Sequence, residues 1–323
     1  MPHPPQPLIE QRADPWIIKH QGRYYFIASV PTYDRLEIRT ADSITELASA
    51  PAITVWSKPA QGPLSELIWA PELHHHDGEW FIYFAAAPSR DIVNGLFQHR
   101  MYCISTKADD PCKGPWSEPR RIETPLDSFS LDATTFRHAD QLYYLWAQKD
   151  PKVPGNSNLY LSAMASPDRL SGEPVCLSMP EYEWEKRGFL VNEGPAVITH
   201  GQRIFITYSA SATDENYCMG LLWADIGSNL LDPRSWQKSA TPVLQSDMPH
   251  HVFGPGHNSF TVDESGSTDL LVYHARTYTQ ILGDPLWDPN RHTYVKPIRW
   301  DDRGFPDFGH AGSDTLLPRQ TPQ

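Results

Sequence analysis

The sequence predicts an all-β protein, a five-bladed β-propeller, and three observations carry that expectation. Five short segments recur along the chain: Ala13-Asp14-Pro15, Trp69-Ala70-Pro71-Glu72, Ser130-Leu131-Asp132-Ala133, Asn192-Glu193-Gly194-Pro195 and Gly254-Pro255-Gly256-His257. Their period is roughly 60 residues, longer than the commoner propeller repeats but of their kind. Each is followed by a run rich in aromatic and β-branched residues that suits a strand, at 23–28, 79–85, 141–147, 202–208 and 269–274. No stretch shows the 3.6-residue periodicity of an amphipathic helix.

Each unit justifies its own strands in the same order. The first strand carries an anchor acid or histidine. A turn with Gly or Asp comes next, as in His20-Gln21-Gly22, Asp77-Gly78-Glu79 and His200-Gly201-Gln202, and joins it to the aromatic strand as a hairpin. A third strand is expected at 35–40, 100–106, 158–166, 218–225 and 293–300. Unit ends rich in Pro and Trp, such as Gly114-Pro115-Trp116 and Asp232-Pro233-Arg234-Ser235-Trp236, read as outer edges and connections. The units run without a break, so one propeller domain over 1–323 is expected rather than two domains. The innermost strand of a propeller blade lines the channel. Asp14, Glu72, Asp132, Glu193 and His257 are therefore expected to ring one pocket or to lie close below it.

Composition narrows the function. The 323 residues include Trp 11, Tyr 14, Phe 12 and Pro 31, a mix for short strands and tight turns. A formal net charge of −12 without Lys or Arg clusters excludes a nucleic-acid surface. No apolar stretch approaches the roughly 20 residues that span a bilayer, so no membrane partner is expected. Cys103, Cys112, Cys176 and Cys218 have no paired spacing and read as free thiols. Met1-Pro2-His3-Pro4-Pro5 has neither a basic nor an apolar leader region, so a cytoplasmic protein is expected unless a signal has been removed. Oligomeric state is not readable.

Carboxylates crowded at one mouth cannot all ionise alike, because burial and like charge push their pKa values apart. Such separation yields one general acid and one general base at a single pH. Glycoside hydrolysis asks for that pair, and inversion asks for a gap of about 6.5–9.5 Å that admits a water.

The Ala-Asp-Pro, Trp-Ala-Pro-Glu, Leu-Asp-Ala, Glu-Gly-Pro and late Gly-His-Asn segments, in this order and spacing over almost the whole chain, resemble glycoside hydrolase family 43. The resemblance implies a five-bladed propeller that hydrolyses arabinose- or xylose-containing oligosaccharides with inversion, in arabinan or xylan degradation. It implies Asp14 as general base, Glu193 as general acid, and Asp132 as the group that tunes and holds Glu193. It gives Glu72 no catalytic part. Trp69 and Tyr33 are implied beside the terminal sugar, Arg291 in the innermost subsite, and Arg276 as a second candidate. His257 is implied on the axis, binding water, sugar or a structural calcium. No cofactor is needed for the chemistry. His74-His75-His76 enters a strand, where alternation separates neighbouring side chains, so it is not expected to bind a metal.

Segments around Tyr33, Trp69 and 284–292 look closest to exo-acting α-L-arabinofuranosidases, with β-xylosidase and endo-arabinanase as alternatives. The extra C-terminal β-sandwich of many β-xylosidases in the family is not expected here, which agrees. A non-catalytic sugar-binding propeller would not need Asp14, Asp132 and Glu193 together. A phosphorylase on this architecture would need a basic cluster for phosphate.

Overall fold

A computed structural model describes residues 4–318. Met1, Pro2 and His3 of the leader reading, and 319–323 of the expected domain, lie outside the described residues. Among the described residues five antiparallel sheets form the blades in sequence order, each a meander from the axis outward, and a sixth, two-stranded sheet lies beside them. Blade one holds Ala13–His20, Arg23–Ser29, Arg35–Ala41 and Ile53–Ser57. Blade two holds Glu66–His76, Glu79–Ala87, Arg100–Thr106 and Arg120–Arg121. Blade three holds Ser130–His138, Gln141–Gln148, Asn158–Ser166 and Arg169–Ser178. Blade four holds Asn192–His200, Arg203–Ala210, Cys218–Asp225 and Gln237–Lys238. Blade five has Phe253–Val262, Asp269–Arg276 and His292–Pro297. The strand expected over 293–300 stops at Pro297, and Arg299–Trp300 pairs instead with Pro306–Asp307.

The second strands are buried almost throughout because neighbouring blades cover both their faces; Trp80 to Ala87 is one unbroken buried run. Ile27, Leu36, Ile38, Leu73, Trp80 and Phe84 fill the seam between blades one and two. Ile17, Tyr24, Phe26, Leu270, Val272 and Val295 fill the seam between blades five and one. The ring is closed there by chain from before blade one. Leu8 and Ile9 donate backbone hydrogen bonds to Thr293 O at 2.9 and 3.3 Å, and Thr293 N donates to Ile9 O at 2.8 Å. That contact satisfies part of an otherwise open edge strand.

The feature that positions the site is a bulge in each innermost strand. Pairing with the second strand slips between Ala13 and Trp16, between Trp69 and Glu72, opposite Leu145 and Ala147, between Glu193 and Ala196, and between Gly256 and Ser259. A left-handed residue sits in every bulge: Asp14 (φ 56°), Ala70 (φ 46°), Asp132 (φ 54°), Gly194 (φ 53°) and His257 (φ 43°). A bulge re-aims a side chain. Here the bulges turn side chains from the channel wall toward one mouth. Left-handed backbone costs on the order of 1–3 kcal/mol for a residue with a Cβ. The repeat seen in the sequence is thus a repeat of backbone shape. Asp14, Asp132 and His257 are equivalent in it, Glu193 precedes the left-handed position of its blade by one residue, and Glu72 follows its own by two.

Candidate active site

Asp14, Asp132, Glu193, His257, Trp69 and Arg291 all line one cavity of ≈ 170 Å³ at the axial mouth. Asp14 is the most heavily tethered. Its backbone N–H donates to His274 Nδ1 at 3.1 Å, and its Oδ2 accepts from Ser29 Oγ at 2.5 Å. Ser29 Oγ in turn accepts from Ala70 N at 2.8 Å, which ties the carboxylate to the bulge of blade two. Arg291 Nη1 and His257 Nδ1 stand 3.4 and 3.2 Å from Asp14 Oδ1.

Burial alone would raise the pKa of Asp14, but His257, Arg291 and His274 outweigh it and hold the carboxyl well below the usual range. At neutral pH the cation among them is Arg291, because burial lowers both imidazoles and puts His274 at about 3. The His274 Nδ1 lone pair faces the Asp14 N–H, so the neutral ring carries its proton on Nε2.

Glu193 is in the opposite condition. Burial raises it, Asp14 raises it further, and Tyr217 and Arg291 oppose; the outcome is about 7. Tyr217 donates its hydroxyl to Glu193 Oε1 at 2.8 Å and stacks on His274 with ring centroids 5.6 Å apart. The stack needs Gly256, since a Cβ there would lie 2.5 Å from the Tyr217 ring. Gly194 is fixed for a similar reason: its φ is positive, and a Cβ would meet the His257 ring at 3.1 Å.

Asp132 accepts from Gly194 N at 3.0 Å, which anchors the backbone next to Glu193. Burial first, then the charges of Glu193 and Asp14, push Asp132 well above the ordinary value. Asp132 holds Glu193 through the backbone, while the neighbouring charge that raises Glu193 is that of Asp14.

Trp69 stacks on His99, centroids 3.9 Å apart, and its indole N–H has no partner among the described residues. His99, fully buried and lowered to about 3, donates its Nε2–H to Leu67 O (2.9 Å) and serves as the plate behind Trp69. Tyr33 does not line the cavity. Its hydroxyl donates to Leu286 O at 2.6 Å and accepts from Arg291 Nη2 at 3.0 Å, so it orients Arg291. Arg276 also stays outside the cavity. It is buried and donates to Thr213 O at 2.5 Å and Pro285 O at 2.7 Å, bracing two mouth loops rather than reaching a sugar.

Glu72 lies in the channel outside the cavity lining, 2.8 Å from His74 Nε2. Thr135 Oγ1 sits 3.1 Å from His74 Nδ1 and 2.9 Å from His76 Nε2. His75 turns to the opposite face against His20 and Trp80.

Calcium takes 6–8 oxygen ligands. Beside His257 there are two carboxylates, and the Arg291 guanidinium already stands at Asp14. Among the described residues no group of three or more His, Cys, Asp or Glu side chains is arranged for a metal ion. These residues do not fit a calcium site. The four cysteines are free thiols.

Tyr217, Ser29 and His274 were not singled out from the sequence. Tyr217 and Ser29 stand at strand ends away from the anchors, and His274 lies inside the second strand of blade five.

A propeller whose axial pocket holds one carboxylate kept ionised and another kept protonated near neutrality has the form of a carbohydrate-cleaving enzyme. The family model of Glycosyl hydrolases family 43 matches residues 4–306, and the chain belongs to that family. An extracellular exo-α-(1→5)-L-arabinofuranosidase of Streptomyces avermitilis is 48% identical over 313 residues, covering 97% of this chain and 64% of the relative. The enzyme of the same name from Streptomyces chartreusis is 47% identical over 86% of this chain and 84% of its own length. The crystal structure of an α-L-arabinofuranosidase from Lactobacillus brevis matches with TM-score 0.92 and 55% identity over 98% of each chain.

The chain therefore spans slightly less than two thirds of the Streptomyces avermitilis relative. The expectation of a cytoplasmic protein is corrected: both Streptomyces relatives are named extracellular. No helix among the described residues is long and apolar enough to cross a membrane.

Proposed function

We propose that this propeller releases terminal α-L-arabinofuranose from arabinose-containing oligosaccharides with inversion, and that the described blades form its catalytic unit. Glu193 protonates the departing glycosidic oxygen. Asp14 takes a proton from the water that attacks the anomeric carbon on the opposite face. Asp132 positions Glu193, and Arg291, Trp69 and His257 hold the sugar. The observation that carries this reading is the split in ionisation within one cavity: Asp14 is held well below the usual range while Glu193 rises to about 7. Between those limits one group is base and the other acid. The names of the relatives support arabinofuranose as the sugar.

Exo action is supported by contacts that join the mouth loops beside the cavity. Tyr33 bonds Leu286 O, and the Arg90 guanidinium lies 5.1 Å over the Trp287 ring, which joins the mouth loops of blades two and five. A cavity of ≈ 170 Å³ suits a single ring rather than a through-running chain. The Arg291 guanidinium already balances Asp14, so the reaction needs no calcium near His257.

The test is release of sugar from nitrophenyl α-L-arabinofuranoside and β-D-xyloside, with linear arabino-oligosaccharides alongside. Arabinose is expected, shortening the oligomers one unit at a time. Xylose alone would move the specificity, and no release would remove the activity.

Tyr217→Phe provides a check on the acid. The hydroxyl stabilises the Glu193 carboxylate, so its loss raises the pKa of Glu193. The alkaline limb of the kcat profile is expected to move upward by about one unit, with kcat lower by about tenfold. A limb that stays near pH 7 would detach Tyr217 from the titrating group.

A further inference from the structure

The backbone on either side of Glu193 is anchored. On one side Gly194 N donates to Asp132. On the other side stands Asn192, fully buried, with its side-chain amide engaged at both ends. Its Nδ2 donates to Glu185 Oε1 at 3.0 Å and to Val191 O at 2.9 Å, and its Oδ1 accepts from Ser178 Oγ at 2.6 Å. Its main chain is tied as well: Asn192 N donates to Ser157 O at 3.1 Å, and Asn192 O accepts from Ser157 Oγ at 3.3 Å. Glu185 ends the short turn Glu183–Glu185, in the chain between blades three and four, and is also fully buried. Its Oε2 accepts from Glu181 N at 2.7 Å and from Tyr182 N at 2.8 Å; its Oε1 accepts from Tyr208 Oη at 2.8 Å as well as from Asn192. Lys238 Nζ, on the outer strand of blade four, lies 2.7 Å from Oε1 and 2.9 Å from Oε2. Burial alone would raise this carboxyl, but Lys238 and the two backbone N–H groups outweigh it and hold it below its ordinary value.

We infer that Glu185 is a positioning residue for the general acid: through Asn192 it fixes the backbone on the N-terminal side of Glu193, as Asp132 does on the C-terminal side. The inference rests on the activity proposed above and adds to it a residue outside the cavity lining. A buried ion pair contributes little net stability beside apolar packing of the same volume. What its charge-assisted hydrogen bonds add is a short, directed tether, here joining the connecting chain to the innermost, second and outer strands of blade four. Glu193 needs such a tether because Gly194, which follows it, is the residue type least restricted in backbone conformation. A displacement of about 1 Å in a reacting group costs on the order of 100-fold in rate. The neighbours that set the pKa of Glu193 are Tyr217, Asp14 and Arg291, and Glu185 is not among them. Glu185 therefore acts by placement and leaves the titration of Glu193 where it is.

The test compares arabinobiose with nitrophenyl α-L-arabinofuranoside in Glu185→Gln, Asn192→Ala and the double variant, with the native protein and Glu193→Gln as references. A misplaced acid is expected to lower kcat/KM on arabinobiose by about 10–100-fold. On the nitrophenyl substrate, whose leaving group needs little protonation, the loss is expected to be about threefold or less. The double variant is expected to lose no more than the larger single loss, because both changes break one path. The alkaline limb is expected to stay near pH 7 in all of them. If Glu185→Gln, which leaves Lys238 without its partner, does not fold, Asn192→Ala and Ser178→Ala carry the test. Ser178→Ala removes one hydroxyl from the same amide and is expected to show the same substrate pattern in smaller degree. Equal losses on the two substrates, additive losses in the double variant, or native rates in Asn192→Ala would each overturn the positioning role while Glu193→Gln still marks the acid. If Glu193→Gln itself slows both substrates equally, the acid assignment falls and this role falls with it. Failure of the native protein to cleave any arabinoside removes the activity itself.

Discussion

Replacing Glu193 by Gln is expected to lower kcat on arabino-oligosaccharides by about 10²–10⁴-fold, the range that general acid catalysis supplies. On nitrophenyl α-L-arabinofuranoside the loss should be at least about tenfold smaller. A sugar alkoxide is a poor leaving group and needs the proton, whereas a nitrophenolate departs nearly unaided. The substitution is close to isosteric, and a Gln side-chain oxygen still accepts from Tyr217. Glu193 is raised to about 7 chiefly by burial, so below that pH a neutral amide replaces a neutral acid and no new buried charge is created. The melting temperature at pH 6 should therefore stay within a few degrees of native. Equal losses on both substrates would give Glu193 another role. In the native protein the same group sets the alkaline limb: activity is present while Glu193 holds its proton and falls as the pH rises through about 7.

How much of this was legible in the sequence depends on what each residue contributes. The blades were legible because an anchor residue and an aromatic strand recur together, and both are local in sequence. What the anchors do was only partly so. Asp14, Asp132 and His257 occupy the left-handed position of their bulges, but Glu193 and Glu72 are offset by one and two residues in opposite directions. A one-residue shift on a strand reverses the face of a side chain. The backbone bulge, invisible in residue types, separates Glu193 in the cavity from Glu72 in the channel.

Side chains that tune the acids were harder to see. Tyr217 precedes the third strand of blade four and reaches Glu193 across 24 residues; Ser29 ends the second strand of blade one and bridges to Ala70 across 41. Neither spacing resembles a motif, because the contacts are made across strands and blades. Tyr33 and Arg276 illustrate the converse. Their positions are near the sugar site in sequence order, yet Tyr33 spends its hydroxyl on Arg291 and Leu286, and Arg276 its guanidinium on two loop carbonyls.

Asp14→Asn is expected to lower kcat/KM by about 10²–10⁴-fold on every arabinoside, nitrophenyl and oligosaccharide alike, because a general base is needed whatever group departs. This uniform loss is what distinguishes the base from the acid. The variant should fold. Asn, with Asp, is among the few residues that visit the left-handed region readily, so φ 56° at this position is tolerated. Its Oδ1 can still accept from Ser29. A second effect follows from charge. The Asp14 carboxylate is one of the influences that raise Glu193, while Arg291 lowers it. Without the carboxylate the guanidinium acts unopposed, and the pKa of Glu193 falls. The residual activity of Asp14→Asn should therefore lose its alkaline limb at a pH below the native 7, the reverse of the shift expected for Tyr217→Phe. Opposite movements in the two variants would tie both neighbours to the same titrating carboxyl. A uniform rate loss with an unmoved limb would keep Asp14 as base but exclude its charge as the source of the raised Glu193. Near-native rates in Asp14→Asn would remove the base assignment outright and leave Asp132 as the carboxylate to test in its place.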